Sequence, residues 1–381
     1  MKQKATLIGR LFVGFGGYNR LMDDNSDKKA KLAKALAVAK GLYQLGAYVG
    51  PRVAQMALFD HRGSSWASYR ASFDGHLFKN RNDFPALKDR ETLTFVSGVN
   101  TLKAYLYFPK HPRALVVAAH GFTSLADGND ALYQDYLLRA GYAVLAVDLT
   151  ASGASQGSSI GGMYQSAYDL KACLDMVHAN RKLKHLPLLL IGHSWGAYGV
   201  TAVLNFDTSP KAVVAMSGYS SPGRLMVSQA RGKAGLLADL SKPDLDDALK
   251  ERSGEKGFLS AASGINHAKK TSVLLIQGGL DETVPVKNCS LYGDPEVKNP
   301  RVERLYYPEK HHDDIWFDPA SCAYIASFHK AEDDLKAKYK SLSKVPPEVL
   351  AACYSLMDKE QSSKIDQTMF QRIDAFFQAA L

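Results

Sequence analysis

From residue 91 onward the apolar and polar positions fall into two alternating regimes. "ETLTFVSGVNTLKAYLYF", residues 91–108, alternates with a period of two on either side of Gly98-Val99-Asn100, which predicts two strands joined by a turn. Beyond it come short, almost wholly apolar runs at Ala114–Ala119, Ala143–Val147, Leu188–Ile191, Val213–Met216 and Val273–Gln277. Runs of this kind belong to parallel strands buried on both faces. A last run, "VERLYY" at Val302–Tyr307, is more polar and suits the edge of a sheet. Helical patterns fill the gaps at Leu132–Ala140, Tyr164–Asn180 and Gly196–Asn205, and a further one lies at Gln367–Ala380. Alternation of β and α predicts an α/β protein with a doubly wound, mostly parallel sheet.

Three stretches depart from the alternation. Residues 219–268 separate two strands by far more than a crossover helix needs; Leu225, Met226, Leu236, Leu237 and Leu240 lie there among many charges, which predicts a helical cap with an apolar underside. Residues 319–362 form a second, helical insertion. In residues 28–59, Leu32, Leu36, Ala39, Leu42, Leu45 and Val49 recur at helical spacing with lysines between them, and Gly50-Pro51 is expected to break the helix before Arg52–Phe59 restarts it. The expected organisation is a helical N-terminal extension over 1–90 and one α/β domain over 91–381.

Charge sharpens this division. The net charge of +9 lies wholly within residues 1–90, which hold sixteen Lys/Arg against seven Asp/Glu; the rest holds thirty-one of each. A basic extension suits an acidic partner, and a weak membrane-surface contact is one expectation. Packing of Leu32, Leu36, Leu42 and Leu45 on the body is the one preferred, because Gly41 and Gly46 weaken an isolated helix. Zinc-finger spacings, RNA-binding aromatic signatures and basic stripes are missing from the body, so no nucleic-acid partner is expected. No run of about 18 uncharged apolar residues marks a membrane span. Arg10 interrupts the apolar stretch after MKQK and no cleavage site follows, so a secretory leader is not expected. Four cysteines without paired or metal-type spacing read as reduced thiols in a cytoplasmic protein.

The chemistry concentrates at "LLLIGHSWGAYG", residues 188–199. An apolar strand here ends in small residues around one serine. Gly192 and Gly196, two before and two after Ser194, suit a strand that turns sharply into a helix and holds the serine hydroxyl in open space at the apex. A larger residue at either position would meet neighbouring backbone. A serine hydroxyl needs a base, and the base needs an orienting group. On a parallel sheet such partners sit at the carboxyl ends of other strands. Val273–Gln277 runs into "GGLDETVP", which offers Asp281, with Glu282 a weaker candidate for its longer reach. Val302–Tyr307 runs into "PEKHHDDIW", which offers His311 and His312. The strand before "HGFTS" brings the Phe122 amide to the same end, and with the amide of Trp195 it would make a two-donor oxyanion hole. Asp148 reads as structural, His120 as a buried loop-shaping residue and His193 as a packing residue. Asp313-Asp314 beside the histidines hints at a metal, but the histidine has a better use in the relay; no metal or cofactor is expected.

These marks resemble those of the α/β-hydrolase superfamily: "HGF", "AVDLTASGASQG", "GHSWG", "GLDETVP" and the late histidine, over about Glu91–Trp316 less the cap, and again in the last helix. Within it the chain is similar to the bacterial branch of esterases, lysophospholipase-like enzymes and serine-aminopeptidase-like proteins. The resemblance implies a Ser194, Asp281, His312 triad, since aligning "PEKHHDD" to the family pattern puts His312 on the base. It implies a serine hydrolase whose partner is a small-molecule acyl ester, with a thioesterase, a peptidase or a non-catalytic binding protein on the same fold as alternatives. "DLTASGASQG" departs from the relatives' Arg-Gly-x-Gly between Asp and Ser, in a loop bordering the site. Serine at the nucleophile position sets the chain apart from the superfamily's dehalogenases and epoxide hydrolases, which carry aspartate.

Overall fold

The computed structural model describes residues 37–38, 40, 46, 48–62, 78–128, 130–234 and 242–381. Its centre is an eight-stranded sheet: β1 (Glu91–Ser97), β2 (Asn100–Tyr107), β3 (Leu115–Ala119), β4 (Ala143–Asp148), β5 (Leu188–His193), β6 (Ala212–Met216), β7 (Ser272–Gly278) and β8 (Val302–Tyr307). The spatial order is β1-β2-β4-β3-β5-β6-β7-β8. β1 and β2 form a hairpin, β2 runs antiparallel to β4, and every later pairing is parallel. β8 is an edge strand, as its polar sequence requires.

The continuous apolar runs are explained by burial on two faces. Leu115, Val117 and Ala119 of β3 point into one core, together with Leu170, Leu174, Trp195 and Ile265. Val116 and Ala118 point into the other, against Tyr133, Leu137, Phe370 and Phe377. The covering helices are α1 (Ala131–Arg139), α2 (Gln165–Ala179) and α3 (Trp195–Ala202). Among the described residues three helices occupy the predicted cap, α4 (Pro222–Ala234), α5 (Lys242–Ser253) and α6 (Ala261–His267). Only part of this region is cap-like, because α6 packs on α3 as part of the body: Gly264 lies so close to the Thr201 carbonyl that a Cβ there would stand 2.5 Å from it. The second insertion supplies α7 (Pro319–Tyr339), α8 (Pro347–Ser355) and α9 (Lys359–Ser362), and the chain returns to the sheet with α10 (Gln367–Ala380).

One expectation for the N-terminal extension changes. Residues 48–59 are helical straight through Gly50-Pro51. A proline removes one backbone hydrogen bond and strains one turn, and here the helix carries that loss. Val49, the only described member of the apolar stripe, faces outward at 40% exposure. Over 48–59 contact with the body is made by Pro51, Gln55 and Phe59, which recur every fourth residue and are buried. Arg52 reinforces it with a two-pronged ion pair to Glu251 of α5. Leu32, Leu36, Ala39, Leu42 and Leu45, like Leu236, Leu237 and Leu240 of the cap, lie outside the described residues. All four cysteines are unpaired. Among the described residues no helix is long and apolar enough to cross a membrane.

Candidate active site

The β5–α3 junction has the geometry its glycines foretell. Ser194 adopts φ 52°, ψ −109°, a backbone conformation that costs a side-chain-bearing residue about 1–3 kcal/mol and persists only when its surroundings enforce it. They do. A Cβ on Gly192 would stand 2.5 Å from the Gly196 carbonyl carbon, and one on Gly196 would collide with the Ala119 carbonyl oxygen at the end of β3. The Ser194 N–H donates to the Met216 carbonyl at 2.9 Å, which ties the apex to the end of β6.

The structure brings Ser194, His312 and Asp281 into one relay. Ser194 Oγ lies 2.8 Å from His312 Nε2, and His312 Nδ1 lies 2.8 Å from Asp281 Oδ2. Because an ionised carboxylate only accepts, Nδ1 carries the imidazole proton and Nε2 is left as acceptor for the serine hydroxyl. All three residues are buried. Burial pushes the Asp281 carboxyl upward, but the hydrogen bond and charge of His312, the Val284 N–H and the Gln277 amide outweigh it and hold the group below its ordinary range. Val284 N donates to Oδ1 at 2.7 Å and Gln277 Nε2 to Oδ2 at 2.8 Å. Glu282 is exposed on the same loop and takes no part in this relay. His311 is exposed as well, and its backbone N–H donates to Asp314 at 2.6 Å.

The other singled-out residues hold the loops around this relay. His120 sits beneath Trp195; it accepts the Leu149 N–H on Nε2, so Nδ1 carries the proton that goes to the Gly121 carbonyl. Burial pushes its pKa down and keeps it neutral. Asp148 accepts from the Ala126 and Ala154 amides and the Tyr105 hydroxyl, binding the loop after β3 to the loop after β4. His193 does more than pack. Its Nε2 donates to the backbone carbonyl of His312 at 2.9 Å, and burial followed by the charge of His312 pushes its pKa down to about 4. The Phe122 and Trp195 rings meet edge to face, 5.7 Å apart, where the loop after β3 crosses the elbow. Among the described residues neither backbone N–H of this pair has a protein acceptor.

Lys310 is the residue the sequence does not announce. Its buried ammonium donates to the Ile315 and Phe317 carbonyls and to Asp366, the N-cap of α10. Its own carbonyl accepts the Leu280 N–H of the acid-bearing loop at 3.0 Å. One residue thus ties the loops of Asp281 and His312 to each other through its backbone and the histidine loop to the last helix through its side chain. A lysine beside two histidines and two aspartates reads as a surface charge, and only the fold shows that backbone carbonyls enclose it. Among the described residues one group has metal-ligand proximity, His193, His312 and Asp313, with candidate atoms within 4.8 Å of one another. The group does not fit a metal, because both ring nitrogens of His312 are engaged in the relay.

A cavity of about 560 Å³ opens beside Ser194 and His312. Its walls come from the loops after β3, β5, β7 and β8 and from one face of α7; among the described residues none between 219 and 268 lines it. The predicted apolar roof from the cap is therefore not supplied by α4, α5 or α6.

Residues 110–248 match a family model described as "Serine aminopeptidase, S33". No curated protein matches the chain. Among solved structures it is similar to the esterase Pf2001 of Pyrococcus furiosus, with 21% identity over 66% of this chain and 92% of that one and a TM-score of 0.46. It is also similar to the acylaminoacyl peptidase of Pyrococcus horikoshii, with 19% identity over 59% of this chain and 38% of that one and a TM-score of 0.43. For acetyl xylan esterase 1 of Thermoanaerobacterium sp. the values are 17%, 66%, 88% and 0.44.

Proposed function

We propose that this chain, an α/β-hydrolase by the order of its sheet and the form of its elbow, is a serine hydrolase that cleaves a carboxylic ester through an acyl-enzyme. The observation that carries the reading is the unbroken relay Ser194–His312–Asp281, with both hydrogen bonds at 2.8 Å. In this reading Ser194 Oγ attacks the ester carbonyl while His312 Nε2 takes its proton. Asp281 holds the Nδ1–H tautomer and stabilises the imidazolium that forms. The N–H groups of Phe122 and Trp195 receive the developing oxyanion, each worth about 3–4 kcal/mol in the transition state. The Trp195 N–H also opens a helix, where the backbone dipoles favour negative charge. The imidazolium then protonates the departing alcohol. Water, activated by the same imidazole, attacks the acyl-enzyme and releases the acid. All parts are supplied by the chain itself.

The same machinery opens thioesters and peptides, and the description of the matching family favours a peptide as the second reading. Hydrolysis of p-nitrophenyl esters, an acyl thioester and aminoacyl p-nitroanilides, measured side by side, separates the three. Ser194→Ala should lower kcat by about 10⁶ with the fold retained, and His312→Ala by a comparable factor, whereas His311→Ala should be mild. Retention of more than about a tenth of the activity by Ser194→Ala would refute the nucleophile. A wild type that neither turns over any of these substrates nor reacts with a fluorophosphonate would favour a binding protein on a hydrolase fold.

A further inference from the structure

In the sequence the 319–362 insertion has no assigned purpose, yet its first helix forms a wall of the cavity beside Ser194. Cys322, Ile325, Ala326 and His329 of α7 line it, at spacings of three and four, so one face of the helix is turned to the cavity over two turns. At 1.5 Å per residue that face runs about 10 Å away from the end nearest the His312 loop. The wall grades along its length: Ile325 is buried, Cys322 is half-buried, and Ala326 and His329 are exposed.

The adjoining side of α7 is fixed. Asp318 caps the helix through the Ser321 N–H at 2.6 Å. Ser321 Oγ donates to the Gln361 carbonyl and accepts the Lys364 N–H. Farther along, Phe328 packs on Tyr354 of α8 with ring centroids 5.4 Å apart, and the Tyr354 hydroxyl donates to Glu332. The Tyr324 hydroxyl accepts the Asp358 N–H at 2.9 Å. A helix braced by two others and joined at its start to Trp316 and Phe317, which also line the cavity, is a rigid partition.

We infer that α7 sets substrate specificity in this protein: its Cys322–Ile325–Ala326–His329 face bounds the subsite for the group beside the scissile bond and admits a medium-length, predominantly apolar acyl or alkyl chain whose far end meets His329. The inference deepens the serine-hydrolase reading and rests on it. The short side chain of Ala326 leaves the width of the subsite open midway, and the imidazole of His329 ends the apolar stretch.

The test compares ratios, because a general disturbance of the fold lowers the rates for short and long substrates together. Ala326→Phe and His329→Leu are made in the full chain. Two fluorophosphonates, one with a methyl and one with an octyl chain, report the labelling rate of Ser194. Two ester series, p-nitrophenyl acylates from acetate to octanoate and acetates from methyl to octyl, report kcat/KM. For Ala326→Phe the long-to-short ratio should fall at least tenfold in one of the ester series and with the phosphonates. For His329→Leu it should rise. Ratios unchanged in both variants, with the wild type labelled, would overturn the assignment of α7 and leave the nucleophile standing. A wild type that no phosphonate labels would overturn both.

Discussion

At the scale of single residues, the site depends on carboxyl groups whose burial is balanced to different ends. Asp281 is surrounded by donors and stays ionised. Asp130, at the start of α1 and also on the cavity, is fully buried; among the described residues its one donor is the Tyr133 hydroxyl at 2.7 Å and its Oδ1 has no partner. Burial pushes its pKa up to about 7, with the tyrosine pulling weakly the other way. Between an unfolded value of about 3.9 and about 7 the folded state holds a proton that the unfolded state has released, so this group's contribution to stability falls as pH rises through that window. Above it the loss is complete, on the order of 4 kcal/mol. Asp130→Asn removes the charge and keeps an acceptor for Tyr133. Urea denaturation should therefore find the variant more stable than wild type at pH 8 by about 2–4 kcal/mol, with the difference vanishing near pH 4. A variant less stable at pH 8 than at pH 4, relative to wild type, would show that Asp130 is ionised in the fold.

At the scale of elements, two junctions decide whether the relay forms. In the β5–α3 turn the constraint is backbone against backbone, and no rotamer change relieves it. Gly196→Ala should destabilise by at least about 2–3 kcal/mol or yield insoluble protein, because its methyl would displace the end of β3 and with it the Phe122 loop. Gly199→Ala meets only side chains, Leu170 and Ser166, and should be milder; equal losses for the two, measured by thermal melting, would contradict this. The second junction is the Lys310 clamp. Lys310→Met keeps the length of the side chain and deletes its three donations, so that Asp366 Oδ2 and the Ile315 and Phe317 carbonyls lose the ammonium. We expect kcat to fall at least tenfold with KM within about twofold, since the imidazole is displaced while the cavity walls remain. Lys310→Arg should recover part of the loss. A rise in KM at constant kcat would mean that the clamp shapes the cavity and not the base.

At the scale of the whole molecule, legibility followed the physics of burial. The parallel strands were readable because two buried faces leave no polar positions, and β8 because an edge has one. Ser194, Asp281 and the histidine pair were readable because the carboxyl ends of these strands are where such groups can meet. The choice of His312 over His311 needed the family resemblance, since nothing in "KHH" tells which ring turns inward. Lys310 was illegible because backbone carbonyls, which leave no trace in side-chain pattern, satisfy it. The wall on α7 was illegible for another reason: one face of that helix packs on α8 and the other borders a cavity, so neither carries a simple solvent pattern. The cap draws the eye because its leucines stand out among charges, although none of its described residues lines the cavity. Val49, Val53 and Met56 of the helix at 48–59 are exposed; salt-sensitive co-sedimentation with anionic liposomes tests the proposed membrane contact of the basic extension against packing of its leucines on the body.

The Lys310–Asp366 contact has a consequence for the order of events in the cell. Ser194 is translated well before the histidine loop, and one of that loop's fixings, the contact of its ammonium with Asp366, forms only when the head of α10 arrives. A ribosome that has made the sheet, the elbow and even His312 still carries a histidine loop without this anchor. The anchorage is complete with the docking of residues 366–380, so a chain abandoned partway through synthesis lacks one of the contacts that hold the His312 loop in place.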